Sequence, residues 1–548
     1  MNNTSGRRLG DPAAAGLAAG DAGSSVSAGG AHPMIEKLKK AKTRVVERVR
    51  RMVGHYPGVA GGGQTRLVQW SCRLCRGTNS SMSVLRSTFL WVAAVVSSAG
   101  CFGEPRPVPV PEDAPRKILF ISVDTTRADR LASYGYGRPT TPAMDALAAT
   151  GVRFANAYAV MPTTDPSHTS MLTCQYPRTH GVMRNAARRQ NPEGPSLAAW
   201  LSKRGYETAA ITARLGLDPE LRGISGFGHT DSPRLPARHR DAADVVQRSR
   251  QWFSERQGDR WFLWVHLWEP HKPYTPMRAF RERFARGVPD GDARFEDPTR
   301  FLKKRQRLSQ KIVAGARKLY DAEIALADNA VGALVGMARQ AAPADGDLLI
   351  VLVSDHGESL AERQSASRIG FGHGALVYDE VVKVPWLLNW EGRLSPAVID
   401  TAVSLVDMTP TLAGLVDPGA AVPKACDGRT LADAVRSGES PEAVPIVLDR
   451  RLFRSHPLPG LRYEESAWID YPWKAIVNDG AVRPELYRLD TDPHETTDLA
   501  EKEPERAASL AGALKAWKRA RPLKRDDGPK TREAEQEEAA LRALGYID

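Results

Sequence analysis

The sequence predicts an α/β protein with a mostly parallel central sheet flanked by helices, followed by a small antiparallel C-terminal subdomain. Two patterns carry this prediction. From Lys117 onward, short apolar runs alternate with amphipathic segments; after Val416, strand-like runs follow one another without helices between them. The size agrees, since 548 residues, 42% hydrophobic and 26% charged, suit one large or two ordinary domains with a substantial core and exclude disorder throughout.

The elements follow in order. Lys117–Val123, Glu207–Thr212, Trp261–His266, Asp347–Val353 and Val384–Asn389 read as buried strands. Between them Pro142–Thr150, Pro195–Arg204, Ala242–Glu255 and the long Lys303–Ala341 have apolar residues at helical spacing. Strand, helix, strand implies a mostly parallel sheet covered on both faces. After Val403–Val416, the runs Pro445–Asp449, Ser466–Asp470, Trp473–Asn478 and Glu485–Leu489 predict successive antiparallel strands, with a helix over Pro504–Arg519.

Residues 1–81 read as a disordered leader. Gly, Ala and Ser dominate Thr4–Gly30, and the basic stretch Met34–Val53 has no neighbouring segment to pack against. Residues 82–101 have signal-peptide order: Arg86, the apolar run Phe89–Gly100, then Cys101. That run is shorter than the ~20 residues of a membrane span. The small residues before Cys101 resemble a bacterial lipoprotein signal, with Ser98 where Leu is usual. Membrane attachment is therefore expected only through a lipid anchor at Cys101, and the location expected is periplasm or cell envelope. Met82 is the expected start, with residues 1–81 a gene-model extension; the alternative is a disordered cytoplasmic tail ahead of a signal anchor.

The net charge of +12 is concentrated in the leader. Residues 1–81 hold 13 of the 76 Lys and Arg but 4 of the 64 acidic residues, which leaves 63 against 60 elsewhere. A nearly balanced body has no polyanion footprint, so no nucleic-acid partner is expected. Cys72-x-x-Cys75 lacks a second pair or a nearby His and is a weak metal signal. A chain starting at Cys101 keeps Cys174 and Cys426 for a disulfide, and the sequence leaves open whether they meet.

Ligands of open parallel sheets bind beyond the carboxyl ends of the strands. Asp124 directly follows the first strand, and Asp355-His356 follows the Asp347–Val353 run. A lone Asp after a strand is commonly a cap or turn residue. An Asp-His pair joins a hard oxygen to an imidazole, a combination suited to Zn²⁺ or Mn²⁺. In Thr163–Cys174, Pro166 at a first helical turn with Thr164 just outside would place the Thr164 hydroxyl at the positive end of a helix, a site for a nucleophile and an anion. Hydroxyls at helix starts are also ordinary caps.

With these elements in place, the chain resembles the sulfatase family of the alkaline phosphatase superfamily from about Lys117 to Asp548. The first strand and its Asp stand as Ile121–Leu131 followed by Tyr134-Gly135. The nucleophile motif lines up with Thr164-Asp-Pro-Ser-His168, Leu172-Thr-Cys174 and Tyr176–Gly181. His266–Tyr274 looks like the family's Pro-His-x-Pro-Tyr element, and Tyr320–Ile324 with Asp328 like its central helix. Ser354–Glu358 and Gly370–Gly374 resemble its metal and substrate elements, and Glu485–Glu495 with Asp498-Leu499 its C-terminal segment. Residues 102–116 read as a Pro-rich linker, and the resemblance implies a sulfatase-like catalytic domain over 117–440 and a C-terminal subdomain and tail over 441–548.

The departures change the expected chemistry. Family members oxidise a Cys or Ser to formylglycine, which Thr164 cannot become, so the resemblance is to a threonine-nucleophile subgroup. The motif Arg is His168, the usual second Asp is Thr125, and the Gly-Lys-Trp-His element is missing around Ala213–Gly216. The resemblance then implies one divalent metal, Zn or Mn favoured over Ca or Mg, held by Asp124, Thr164, Asp355 and His356. His271 and His373 are expected to contact substrate, with His168 a weaker member of that set. Tyr320, Asp321 and Asp328 are read as structural.

Three functions are open at this stage. The favoured one is an ester hydrolase cleaving a sulfate or phosphate (diester or phosphonate) ester of a small molecule, lipid or glycan. The second is transfer of a phosphoalcohol, phosphoethanolamine-type group to an envelope lipid or glycan, whose family relatives carry several membrane helices. The third is a noncatalytic surface binding protein.

Overall fold

The computed structural model describes residues 107–523 apart from 186–195, 220–223, 235–236, 238, 299–307, 345, 364–370, 421–424 and 451–463, together with residue 539. The leader, the signal-like segment, Cys72, Cys75 and Cys101 lie outside the described residues, as do Pro195, Lys303 and Gly370.

Eight strands form the central sheet: β1 (Lys117–Val123), β2 (Val152–Phe154), β3 (Glu207–Thr212), β4 (His229–Asp231), β5 (Trp261–Leu267), β6 (Leu348–Ser354), β7 (Trp386–Trp390) and β8 (Ala397–Ile399). Their order is β8-β2-β7-β6-β1-β5-β3-β4. Strand β1 is parallel to β5 and β6, β3 to β5 and β4, and β2 to β8. The exception is β7, from the Val384–Asn389 run, which is antiparallel to both β6 and β2. A parallel neighbour needs a crossover that carries the chain back to the far edge. Between β6 and β7 the helix found among the described residues is the four-residue Asp379–Val382, so the chain stays at one edge and returns.

Side chains alternate between two cores because strand residues point to opposite faces. Ile118 and Phe120 pack with α2 (Thr164–Thr173), α3 (Leu197–Ser202) and α6 (Met408–Val416), through Met171, Leu172, Leu201 and Leu412. Leu119, Ile121 and Val123 pack with α1 (Pro142–Thr150), α4 (Ala242–Glu255) and the 32-residue α5 (Gln310–Ala341), through Leu147, Val245, Val331 and Leu334. Each fully buried Leu, Ile or Val contributes about 1.5–3 kcal/mol, so β1 is held firmly from both faces. Asp241 caps α4 by accepting from Asp244 N at 2.8 Å, and Ser309 caps α5.

The second sheet is antiparallel, in the order β9 (Ile446–Arg450), β10 (Glu465–Asp470), β11 (Trp473–Asn478), β12 (Glu485–Arg488). Helix α7 (Pro504–Ala520) covers one face, with Leu510 against Ala475 and Leu486 and Leu514 against Val447. On the other face Ile446, Leu448 and Ile469 pack on Val377, Tyr378 and Val381. Lys474, fully buried, reaches Asp379 and Glu495 at 2.8 Å each, which fixes β11 to the segment after His373. Cys174 and Cys426 form a disulfide, Cα atoms 4.9 Å apart across 252 residues, at the C-terminal cap of α2. Among the described residues no helix is long and apolar enough to cross a membrane.

Candidate active site

Parallel pairing brings the site residues to one edge. Val123 lies beside Leu267 and Ser354, and Thr212 beside His266, so Asp124, Asp355-His356, His266 and Arg214 all emerge where their strands end. The turn after β1 is held from three sides. Thr125, at φ 51°, donates its N–H to Asp355 Oδ1 at 3.2 Å, and its carbonyl accepts from Tyr320 Oη at 2.7 Å. Thr126 N donates to Ser354 Oγ at 2.9 Å, and that hydroxyl donates to the His356 carbonyl at 2.7 Å.

Helix α2 is buried along its whole length. Thr163 is its N-cap residue and Thr164 its first helical residue, so Thr164 stands inside the helix rather than just outside it, as the sequence suggested. Pro166 allows this because it falls in the first turn, where backbone N–H groups have no intrahelical acceptor to lose. The Thr163 side chain makes no capping bond, and the Thr164 hydroxyl instead lies 3.5 Å from His356 Nε2. Ser167 Oγ donates to the Asp355 carbonyl at 2.6 Å, tying the helix to the end of β6.

Asp124, Asp355 and His356, all fully buried, bring one ligand atom each within 4.8 Å of one another. His356 Nε2 is 3.5 Å from Asp355 Oδ2 and 3.8 Å from Asp124 Oδ1. His356 Nδ1 lies 3.0 Å from the Gly357 carbonyl, which can only accept, so the proton sits on Nδ1 and Nε2 offers a lone pair. Both Asp124 oxygens and Asp355 Oδ2 have no hydrogen-bond partner among the described residues. Burial pushes Asp124 up to about 7 and raises Asp355 as well. Two buried carboxylates with free oxygens facing a bare imidazole nitrogen fit a divalent cation. The expected fourth ligand, Thr164, has its hydroxyl 3.5 Å from that same nitrogen.

The histidines expected to contact substrate divide. His271 donates Nδ1–H to the Lys272 carbonyl at 2.6 Å, packs at a tilt on Trp268 with ring centroids 3.9 Å apart, and lies 5.0 Å from the His373 ring. The His373 ring is 4.4 Å from that of His356, and its Nδ1 is 3.3 Å from Glu358 Oε2. Burial holds His271 and His373 well below the usual imidazole range, so both are neutral. His168, in contrast, lies against the sheet rather than towards a substrate. Its Nδ1 bonds the Thr164 carbonyl at 2.9 Å and its Nε2 lies 3.0 Å from Ser122 Oγ.

Four residues of this edge are absent from the sequence-derived set: His266, Arg214, Asp165 and Glu358. Arg214 pairs with Asp165, the residue after Thr164, and both are buried. His266 Nε2 lies 3.4 Å from Asp124 Oδ2. Burial pushes Glu358 up to about 7. The position of His266 at the end of a strand beside β1 was the available signal. Tyr320 braces the Asp124 turn, Asp321 pairs with Arg138 and with Arg130 at 3.4 Å, and Asp328 accepts from Ala143 N and Met144 N at the start of α1, all as structural residues would.

Comparison with known proteins decides the family: the model described as Sulfatase matches residues 116–418. The chain belongs to the sulfatase family. It is 28% identical over 442 residues to a choline-sulfatase of Rhizobium meliloti, covering 70% of this chain and 82% of that one. It is 22% identical to the multifunctional alkaline phosphatase superfamily protein PehA of Trinickia caryophylli, covering 70% and 91%. Among solved structures, the phosphonate monoester hydrolase of Agrobacterium radiobacter shares the fold at a TM-score of 0.58 and 20% identity, over 74% of this chain and 96% of that one. This sulfatase-family protein is a hydrolase of sulfate or phosphate esters, from a family of metal-dependent enzymes, and its cluster of Asp124, Asp355 and His356 suits a metal ion.

Proposed function

We propose that this protein cleaves a phosphate diester or phosphonate, or less readily a sulfate ester, through a covalent Thr164 ester. The observation that carries the reading is the Thr164 hydroxyl at the first residue of a buried helix, 3.5 Å from the bare His356 Nε2 and beside two carboxylates with unpartnered oxygens. Asp124, Asp355, His356 and the Thr164 oxygen would hold one divalent ion, Zn²⁺ or Mn²⁺ by their donor set. Such an ion, when bound, lowers the pKa of a hydroxyl and polarises a substrate oxygen.

Thr164 Oγ1, whose proton would pass to solvent when the ion binds, forms a bond to phosphorus as the alcohol oxygen of the substrate departs. Threonine is a secondary alcohol, so oxidation would give a ketone and not the aldehyde hydrate of formylglycine. The Thr164 ester must therefore be cleaved by water at phosphorus, which restores the hydroxyl. The α2 N-terminus supplies fixed positive potential beside the Thr164 hydroxyl, where anionic oxygens would gather. His373 and Glu358 form a proton-carrying pair: with the Glu358 carboxyl protonated, its proton faces His373 Nδ1 and Nε2–H is free to protonate the departing alcohol. His271, with its proton on Nδ1, keeps Nε2 as an acceptor. Location in the periplasm or cell envelope belongs to the same proposal and is supported by the Cys174–Cys426 pair, since disulfides persist in oxidising compartments.

Initial rates on matched aryl phosphodiester, phosphomonoester, phosphonate and sulfate esters, with Zn²⁺, Mn²⁺ or chelator, test the reading. Turnover that needs metal and is greatest on the diester or phosphonate is expected. No turnover on any ester, together with no bound metal, would overturn it in favour of a binding protein.

A further inference from the structure

We infer that the site holds a second divalent cation, where Asp124 and Asp355 face His266 and His168, with these two histidines as its nitrogen ligands. The inference rests on the proposed first ion and adds a position that the four expected ligands do not account for.

The two carboxylates each face two imidazoles. Asp124 Oδ1 is 3.8 Å from His356 Nε2, whereas Oδ2 is 3.4 Å from His266 Nε2. Asp355 Oδ2 is 3.5 Å from His356 Nε2 and 3.6 Å from His168 Nδ1. His168, His266 and Asp355 offer ligand atoms within 4.8 Å of one another, a second group that shares Asp355 with the first. Ligands bound at ~2.0–2.1 Å around a tetrahedral ion lie about 3.3–3.5 Å apart, so the 3.4 and 3.6 Å contacts have the spacing of ligands around one ion. Carboxylates shared between ions about 3.5–4 Å apart are the usual frame of a two-metal site.

His266 supplies the independent observation. It is fully buried at the next-to-last position of β5, and neither ring nitrogen has a hydrogen-bond partner among the described residues. Burial without partners is costly for a polar ring, and an ion between His266 and Asp124 Oδ2 would use both orphaned atoms. Charge points the same way. Asp124, Asp165 and Asp355 are fully buried at this edge, against the buried Arg214 guanidinium, with Glu358 counted as its neutral acid. One divalent ion leaves such a centre poorly suited to an anionic ester; two correct the balance. His168 joins as the other tautomer. Its proton now faces the Thr164 carbonyl through Nδ1; moved to Nε2, it would be donated to Ser122 Oγ, which also accepts from Trp264 Nε1 at 2.9 Å, and Nδ1 would be bare towards Asp355.

The test is metal stoichiometry, independent of turnover. The full-length chain is stripped with chelator and titrated with Mn²⁺, an ion the Cys72 and Cys75 thiols bind weakly, and bound metal is counted by mass spectrometry. Two equivalents per chain are expected for the native protein and one for His266→Asn. His168→Gln should also give one, and equal thermal transitions of the stripped proteins would show that both variants are folded. A single equivalent in the native protein overturns the second site and leaves the proposed function standing, whether or not His266→Asn alters it. No bound metal overturns both.

Discussion

Breaking the Cys174–Cys426 disulfide should destabilise the protein by about 2–5 kcal/mol. The bond closes a loop of 252 residues. Loop-closure entropy for that length amounts to about 19 cal/mol/K, or about 5.5 kcal/mol at 25 °C; structure remaining in the reduced unfolded chain lowers the measured figure into the 2–5 range. Unfolding entropy near 2.1 cal/mol/K per residue over a body of ~430 residues means that each kcal/mol moves Tm by about 1 °C, so a fall of about 2–6 °C is expected. The assay is calorimetry with and without reductant, alongside Cys174→Ala, Cys426→Ala and the double variant. Because the two sulfurs act as one bond, the double variant should fall no further than either single one. At 25 °C the substitution should leave kcat within several-fold, since Cys174 caps the far end of α2, ten residues from Thr164. An unchanged Tm in reductant, with both thiols shown free by mass, would refute the reasoning.

Other perturbations have signs fixed by particular groups. Burial pushes Glu269 up to about 7, and its Oε2 has no partner among the described residues. Its folded pKa lies above the unfolded value, so the folded state holds the proton more tightly and stability falls as pH rises from about 4.5 through 7. Glu269→Gln should therefore raise Tm at pH 8 relative to the native protein, by up to about 3 kcal/mol of stability, and much less at pH 5. Calorimetry at the two pH values checks this. Ser122→Ala leaves the Trp264 indole N–H and His168 Nε2 unpaired in the core and should cost about 1–3 kcal/mol in denaturant titration. Lys474→Met strands Asp379 and Glu495 without their buried cation and should cost about 3–5 kcal/mol, read by the same titration.

The sequence made some elements legible and hid others for physical reasons. The long apolar runs at β1, β5 and β6 declared themselves, and Asp124 and Asp355-His356 followed from the rule that parallel sheets bind ligands at strand ends. β7 was recognisable as a strand, but an apolar run carries no direction, and its reversal depends on the path of the intervening chain. β2, β4 and β8 are three residues each, too short for periodicity to mark. His266 was left out of the site because an isolated histidine reads as a hydrogen-bonded structural residue; its place beside Asp124 depends on the pairing of two strands. The Arg214–Asp165 pair, 49 residues apart, and the disulfide have no local signature at all.

The most direct test of the central claim is to catch the covalent ester. The metal-loaded chain turning over an aryl phosphodiester is quenched in acid, digested and read by peptide mass. A mass increase equal to the transferred phosphoryl ester, confined to the peptide carrying Thr164 and absent from a Thr164→Ala variant slowed by about three orders of magnitude or more, is the predicted result. The adduct on another residue, or steady turnover by Thr164→Ala at near the native rate, would contradict it.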